Sequence, residues 1–209
     1  MFNANYNIVK LVDEKITEQK NLQLKLLINE NFIVVVVFNS DKVFKFFEIE
    51  ITKPNLQPLQ FYLDYIFENL LAHKNFINSE AFFLTEYFVI LPNVIYAKEE
   101  SENLLKFTTQ FPSNYVTRED ALHDFKIVYA INLDVKNYLE KTIKNIKFSS
   151  SAFGLLNVFL NKTEFTKTDA LINFTASQME VVLKTENKLQ LYNLFKFNND
   201  EDALYYILF

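Results

Sequence analysis

The sequence predicts an α/β protein with mixed sheets that are built on antiparallel meanders. The first observation is the run NFIVVVVF at residues 31–38, whose seven consecutive apolar residues indicate a strand covered on both faces. The second is its position between two further strand patterns at residues 24–28 and 43–51, which are separated from it by short polar turns. Strands joined in this way predict an antiparallel meander.

The elements around this meander follow from spacing and from proline. The apolar residues of segment 6–11 predict an edge strand or a lead-in to the first meander. Pro58 opens a helix to residue 72 whose apolar residues recur every three or four positions. Residues 81–91 and 94–96 predict strands that are broken by Pro92. Ser101 is expected to cap a short helix through residue 109.

The middle of the chain predicts a loop, a buried strand and two helices. Segment 112–124, PSNYVTREDALHD, is the longest loop-like stretch, and the apolar segment 125–131 predicts a buried strand. Asn132 is expected to cap an amphipathic helix with Val135, Leu139, Ile143 and Ile146 on one face. A brief extended segment, 146–148, then leads to a helix capped by Ser149 or Ser150 that runs to residue 161.

The pattern then restarts. Residues 171–175, 179–183 and 189–197 predict a second meander, and Asn199 caps a helix whose first turn holds three acids. Residues 31–36 align with 178–183, and residues 61–67 align with 203–209, in the same order and spacing. We interpret this as an internal duplication, with a first lobe at 1–147 and the start of a second at 148–209. The alternative is that an α+β chain of this size offers such matches by chance.

Glycine usage excludes whole classes of site. Gly154 is the one glycine among 209 residues, where average usage would give roughly fifteen. Phosphate-binding loops need glycine for positive φ and for close approach of the backbone to the anion. The sequence therefore contains neither a Walker loop nor a dinucleotide-binding fingerprint.

Charge and cysteine usage limit the partners and the compartment. The net charge of -5 argues against general nucleic-acid binding, and Arg118 is the only arginine. The absence of cysteine fits a reducing compartment. No apolar run approaches the ~18 residues that span a bilayer, and charged residues interrupt the N-terminal segment where a signal peptide is apolar. We expect a cytoplasmic protein without a membrane partner.

Two segments carry a family resemblance. SSSAFGLLNVFL at residues 149–160 and FNNDEDALYYILF at residues 197–209 resemble the Bacteroidetes family called domain of unknown function 3822. The resemblance implies a duplicated actin-like (ribonuclease H-like) ATPase fold without an assigned activity. It also implies a second lobe that is truncated, because members of this family are longer. The uncapped apolar end at residues 205–209 likewise predicts that the natural product continues.

The resemblance places candidate ligand contacts in two hairpin turns. In active relatives these turns carry an acidic residue and a glycine that cradle phosphate and hold Mg²⁺ indirectly. The matching positions here are Glu30 and Asn31 in the first turn and Ser177 and Gln178 in the second. Residues in turns are more often simply solvated. No catalytic or metal-binding residue is expected from the sequence.

Other polar residues have simpler interpretations. His123 stands beside Asp124, which could orient it as a base, but no nucleophile accompanies the pair and a solvated loop is the better interpretation. Glu48 and Glu50 alternate with apolar residues, which is typical of the wet face of a strand.

These observations favour a non-catalytic binding or interaction module that needs no cofactor. The first alternative is a divergent ATPase or small-molecule kinase, and only this alternative would bind ATP with Mg²⁺. The second is a structural subunit that assembles through strand edges. The protein partner is left open, and a homodimer is one option.

Overall fold

The computed structural model describes residues 6–14, 16, 21–51, 57–71, 75–161, 168–175, 177–186 and 188–208. Its strands are, in chain order, β1 (Tyr6–Asp13), β2 (Gln23–Ile28), β3 (Phe32–Phe38), β4 (Val43–Ile51), β5 (Asn78–Phe83), β6 (Phe88–Pro92), β7 (Tyr115–Leu122), β8 (Phe125–Asn132), β9 (Lys147–Ser150), β10 (Thr168–Phe174), β11 (Gln178–Thr185) and β12 (Lys188–Lys196). Its helices are α1 (Leu59–Tyr65), which continues as a π-helical turn over Ile66–Leu70, α2 (Lys98–Thr108), α3 (Leu133–Thr142), α4 (Ser151–Leu160) and α5 (Asp200–Leu208).

The chain divides into two compact units. Unit 1 is Met1–Ser151 and unit 2 is Ala152–Phe209. Unit 1 holds a six-stranded sheet, in the order β1-β4-β3-β2-β5-β9, and a three-stranded sheet, in the order β6-β8-β7. Unit 2 holds the three-stranded sheet β10-β11-β12.

The first predicted meander is confirmed. Strand β3 pairs antiparallel with β2 on one side and with β4 on the other. Its side chains are either buried or half-buried, because the pleat sends successive apolar residues to opposite covered faces. The edge strand predicted near residues 6–11 is also confirmed, since β1 pairs with β4.

The segment 81–91 contains two strands rather than one. Strand β5 runs parallel to β2, and the chain then leaves the sheet after the Leu84 amide donates to the Ile28 carbonyl at 3.0 Å. The Thr85 hydroxyl accepts from the Tyr87 amide at 3.1 Å, and this local bond turns the chain toward the second sheet. Strand β6 pairs there with β8.

Two predictions near Pro92 are wrong. Residues 94–96 do not form a strand, because the Ile95 amide closes a turn on the Pro92 carbonyl at 3.0 Å and Val94 is 92% exposed. Ser101 does not cap α2, which begins at Lys98 after Ala97. Its hydroxyl donates to the Lys98 carbonyl at 2.9 Å instead, so it lies within the first turns of the helix.

The loop predicted at 112–124 is also wrong. Most of it is strand β7, which forms a hairpin with β8 through a turn at His123, where φ is 48°. The polar residues that suggested a loop have partners inside the protein, as described below. Beyond this hairpin, the cap of α3 is confirmed: the Asn132 side chain accepts from the amides of Asp134 and Val135 at 2.9 and 3.1 Å. The predicted end of helix α1 at Ala72 lies outside the described residues.

Unit 2 contains the second predicted meander, which is confirmed. Strand β11 pairs antiparallel with both β10 and β12. Asn199 caps α5 through a 2.8 Å bond from the Asp202 amide to its side-chain oxygen, and the Tyr206 ring of α5 stacks on Phe195 of β12 at 4.6 Å. Among the described residues of this small unit, the charged residues Glu180 and Lys184 are buried.

Candidate functional site at the ends of the parallel strands

Three neighbouring parallel strands end at the same place in unit 1. In the pairing register, Ile28 of β2 lies beside Phe83 of β5, and Phe83 lies beside Ser150 of β9. Each of these residues is the last of its strand. In open α/β sheets the edge formed by the carboxyl ends of the strands is where ligands bind. We therefore treat this edge as the candidate site.

The turn between β2 and β3 is closed by one buried side chain. The Asn29 side-chain oxygen accepts from the Asn31 amide at 3.0 Å, and its side-chain nitrogen donates to the Leu84 carbonyl at 2.8 Å. The first bond forms an Asx turn, which lets the chain reverse without glycine. The Asn31 carbonyl accepts from the Ile51 amide at 2.7 Å. Both backbone groups of Asn31 thus have partners within the protein.

The Glu30 carboxylate is the acid at the tip of this turn. It accepts a hydrogen bond from the Tyr115 hydroxyl at 2.9 Å, which joins the turn to the first residue of β7. Burial raises the pKa of Tyr115, and the nearby Glu30 carboxylate raises it further. The Tyr115 ring lies edge-on to Tyr87 at 5.4 Å. The hydroxyl therefore stays protonated and available as a donor to Glu30.

The end of β9 is contacted by the other end of β7. The Asp120 carboxylate accepts from the Ser150 amide at 2.7 Å and from the Ser150 hydroxyl at 2.9 Å. Burial raises the pKa of Asp120, although the Ser150 hydrogen bonds and the Arg118 charge act in the opposite direction. The Arg118 guanidinium lies over the Phe148 ring of β9 at 5.5 Å.

Strand β7 therefore bridges the edge. Its first residue binds the β2–β3 turn and Asp120 binds the end of β9. The five residue steps from Tyr115 to Asp120 span about 17 Å of extended chain, which is enough to pass the three strands. Strand β7 thus contacts the sheet edge at which open α/β folds bind their ligands.

Glu119 points to the face of β7 opposite to that of Asp120. Its carboxylate accepts from the Tyr96 hydroxyl and lies 2.8 Å from the Ser101 hydroxyl, whose single proton is shared between Glu119 and the Lys98 carbonyl. Burial raises the pKa of Tyr96 to about 12, and the Glu119 carboxylate contributes to this shift. Sequence reasoning missed Asp120 and Glu119 as partnered residues. The signal was their alternation in the segment Arg118-Glu119-Asp120, because a strand sends neighbouring side chains to opposite faces.

The second predicted turn lies in unit 2. The Ser177 carbonyl accepts from the Phe197 amide at 3.1 Å. The Gln178 carbonyl accepts from both the amide and the hydroxyl of Thr175 at 2.8 Å, and the Gln178 side chain is 5% exposed. The structure thus places Glu30 and Asn31 together in unit 1, and Ser177 and Gln178 together in unit 2.

The described residues contain neither a cluster suited to a metal ion nor a helix suited to a membrane. In the part of the chain that the structure describes, no group of three or more His, Asp or Glu side chains is arranged to hold a metal ion. Of the helices that the structure describes, none has the length and apolar character needed to cross a membrane.

Comparison with known proteins identifies the fold class. The structure is similar to a Bacteroides thetaiotaomicron protein that has an actin-like ATPase fold and unknown function, with a TM-score of 0.79 and 19% identity over 90% of this chain and 75% of that one. At this identity the similarity shows the fold alone, which is mixed α/β and actin-like. The chain belongs to the family of proteins of unknown function DUF3822, whose model matches residues 11–209. The resemblance drawn from residues 149–160 and 197–209 is thus confirmed.

A second solved structure is less similar. The cytoplasmic domain of EpsL, an inner membrane component of the type II secretion system of Vibrio cholerae, aligns with a TM-score of 0.45 and 9% identity. The alignment covers 84% of this chain and 70% of that domain. No curated protein matches the sequence.

The bond between Tyr115 and Glu30 gives a first testable prediction. Tyr115→Phe and Glu30→Ala should each lower the free energy of unfolding, and the double variant should lose less than the sum of the two. The expected coupling is about 1 kcal/mol, because one hydrogen bond to a partly solvated carboxylate is removed. Urea denaturation of the four proteins measures it, and a coupling energy of zero would show that the bond does not form in solution.

The pKa of Asp120 predicts a specific pH dependence. Because folding raises this pKa above 3.8, the folded state takes up the proton first, so the contribution of Asp120 to stability increases as the pH falls from 7 toward 4. The stability of the wild type minus that of Asp120→Asn should therefore increase over this range.

Asp13→Asn is the matched control for this measurement. Hydrogen bonds from Lys45 and Lys10 lower the pKa of Asp13, so its contribution is present above pH 3.8 and disappears as the pH falls further. Denaturation at several pH values between about 2 and 7 should show that the difference between wild type and Asp120→Asn changes as the pH falls from 7 toward 4, whereas the difference between wild type and Asp13→Asn stays level down to about pH 4 and decreases below it. An identical pH dependence of the two differences would contradict the assignment.

Proposed function

We propose that this protein is a non-catalytic member of the actin-like fold class that acts by binding a partner. The observation that carries the proposal is the closed β2–β3 turn, in which Asn29 binds the Asn31 amide and Tyr115 binds Glu30. A phosphate-binding turn needs unoccupied backbone amides and close approach of the anion. Here the Asn31 amide already has a partner.

Electrostatics supports the same conclusion. The Glu30 carboxylate lies at the tip of the turn and Asp120 lies at the end of β9, so both sides of the strand edge carry an acid. The Arg118 charge offsets that of Asp120, so the Glu30 carboxylate at the turn is the charge that opposes a polyphosphate unless a cation neutralises it. The single glycine, Gly154, lies within helix α4 and supplies no turn. We expect no nucleotide cofactor.

Exposed apolar residues support a binding role. On helix α5 the side chains of Leu204, Tyr205 and Leu208 are 54%, 59% and 66% exposed. Contiguous apolar surface on a folded protein is typical of contact with another macromolecule. The cysteine-free sequence fits action in the cytoplasm, which remains part of the proposal.

We further propose that the two meanders descend from one duplicated unit. Strands β2, β3 and β4 are followed by α1, and strands β10, β11 and β12 are followed by α5. In both cases the second strand of the three is central and pairs antiparallel with its neighbours. The shared order supports a lobe repeated within the chain, as in actin-like proteins.

A divergent ATPase or small-molecule kinase is the alternative. It is favoured by the actin-like ATPase fold of the Bacteroides thetaiotaomicron protein and by the acidic Glu30, which could hold Mg²⁺ through water. ATP with Mg²⁺ would then bind at the strand edge after Tyr115 has released Glu30.

Calorimetry with ATP and Mg²⁺ distinguishes the two functions. The proposal predicts no saturable heat with the wild-type protein and no phosphate release. Glu30→Gln removes the charge and keeps a side chain that can accept from Tyr115, so it serves as the matched control and should also bind nothing. Micromolar binding by the wild type, accompanied by phosphate release, would establish the enzyme and refute the proposal.

A further inference from the structure

Ion pairs occupy lysines in several parts of unit 1. Among the described residues, a carboxylate lies within ion-pair distance of Lys10, Lys25, Lys42, Lys45, Lys106 and Lys136. The chain has 26 acidic and 21 basic residues, so an exposed lysine has an acid available more often than the reverse. Exposed lysines that lack a carboxylate are therefore informative, above all where several lie together.

Three lysines near the end of α3 differ from these, and we call them the basic surface. Lys141 lies in the last turn of α3, Lys144 lies in the turn that follows, and Lys147 begins β9. All three are exposed. In the part of the chain that the structure describes, no carboxylate pairs with any of them. The basic surface thus carries three unpaired positive charges in one short segment.

The two acids beside the basic surface have other partners. Glu140, near the end of α3, accepts from the Lys136 ammonium at 2.7 Å. Glu80 lies opposite Lys147 in the parallel pairing of β5 with β9, and its carboxylate is 3.5 Å from the Lys25 ammonium. Each of these carboxylates already balances a different lysine. The charge of the basic surface is therefore left for a group outside this segment.

The backbone that carries the basic surface is fixed. The Ile143 amide donates to the Leu139 carbonyl at 2.8 Å at the end of α3, and Asn145 turns the chain with a φ of 58°. Asparagine adopts this left-handed conformation more readily than most residues. Ile143 and Phe148 are 2% and 8% exposed, so buried side chains hold the segment on both sides of the turn. A partner does not have to order this backbone, which lowers the cost of association.

An exposed apolar residue lies at the border of the basic surface. Ile77 is 66% exposed, and its amide donates to the Leu22 carbonyl at 2.8 Å, so its backbone is held in place. It precedes Glu80, the residue opposite Lys147, by three positions, or about 10 Å along the strand direction. Positive charge and one apolar side chain are thus presented together.

We propose that the basic surface binds an acidic segment of a partner protein, with Ile77 contacting an apolar side chain of that segment. Complementary charge on a fixed surface steers association and sets the register of the partner. Nucleic-acid binding needs a more extensive basic surface, because every phosphate is charged and the net charge of this chain is -5. The inference rests on the proposed binding role and adds to it a surface and a class of partner.

Fluorescence anisotropy with a labelled peptide tests the basic surface. The probe has glutamates on both sides of one leucine, and the wild-type chain should bind it saturably and more weakly as salt is added. The triple variant Lys141→Gln, Lys144→Gln and Lys147→Gln should lose affinity at least about tenfold, because three exposed charge contacts are removed. Ile77→Ser should weaken binding of this probe and leave unchanged the binding of a probe with serine in place of the leucine.

A second triple variant is the matched control. Lys98→Gln, Lys106→Gln and Lys188→Gln remove the same charge at other exposed positions and should leave the affinity within about twofold of the wild type. Both triple variants should keep the circular dichroism spectrum of the wild type, since the substituted lysines are all exposed. An equal loss of affinity in both would overturn the proposal, because net charge rather than the basic surface would then attract the peptide.

Other probes separate this inference from its alternatives and from the proposed function. Single-stranded DNA and vesicles of phosphatidylcholine with phosphatidylserine should bind more weakly than the peptide. Stronger binding of either, lost in the variant of the basic surface, would overturn the proposal in favour of nucleic acid or lipid. A wild-type chain that binds neither the peptide nor ATP would refute the basic surface alone, whereas ATP binding with phosphate release would refute the proposed function.

Discussion

The hydrogen bonds of Asn29 hold the candidate site together. One side chain closes the β2–β3 turn on the Asn31 amide and ties the turn to the Leu84 carbonyl just beyond β5. A glycine would have allowed the same reversal through its backbone freedom and would have left the amides open to a ligand. The asparagine fixes the turn instead and leaves the Asn31 amide occupied. The turn therefore has no phosphate-loop glycine and no open Asn31 amide for the same reason, which is that the Asn29 side chain closes it.

Strand β7 depends on that fixed turn. Tyr115 has a defined partner because Glu30 is held at the tip of the turn, and Asp120 reaches the end of β9 from the same strand. Burying the Asp120 carboxylate has a cost, which is visible in its raised pKa, and the Ser150 hydrogen bonds offset part of that cost. The carboxylates of Glu30 and Asp120 could contact a ligand. In this structure they attach the second sheet of unit 1 to the first.

The sequence predicts the sheets better than it predicts the site. Both meanders and the caps at Asn132 and Asn199 are visible in it, because apolar periodicity and capping act over a few neighbouring residues. The polar composition of the segment around Arg118-Glu119-Asp120 predicts a loop. This prediction fails because the charged side chains have partners on β9 and α2, which are distant in sequence. Glu30 and Asn31 were identified through the family resemblance, whereas the hydrogen bond between Glu30 and Tyr115 joins residues that are 85 positions apart in the sequence.

The backbone amide of Asn31 offers the most direct test of this account. In a nuclear magnetic resonance titration with ATP and Mg²⁺, its signal should keep its position, because the Asn29 side chain already occupies the amide. In Asn29→Ala the same amide should lose its protection from hydrogen exchange. A saturable shift of the Asn31 signal in the wild-type protein would contradict the account, because it would show that the turn opens to receive phosphate.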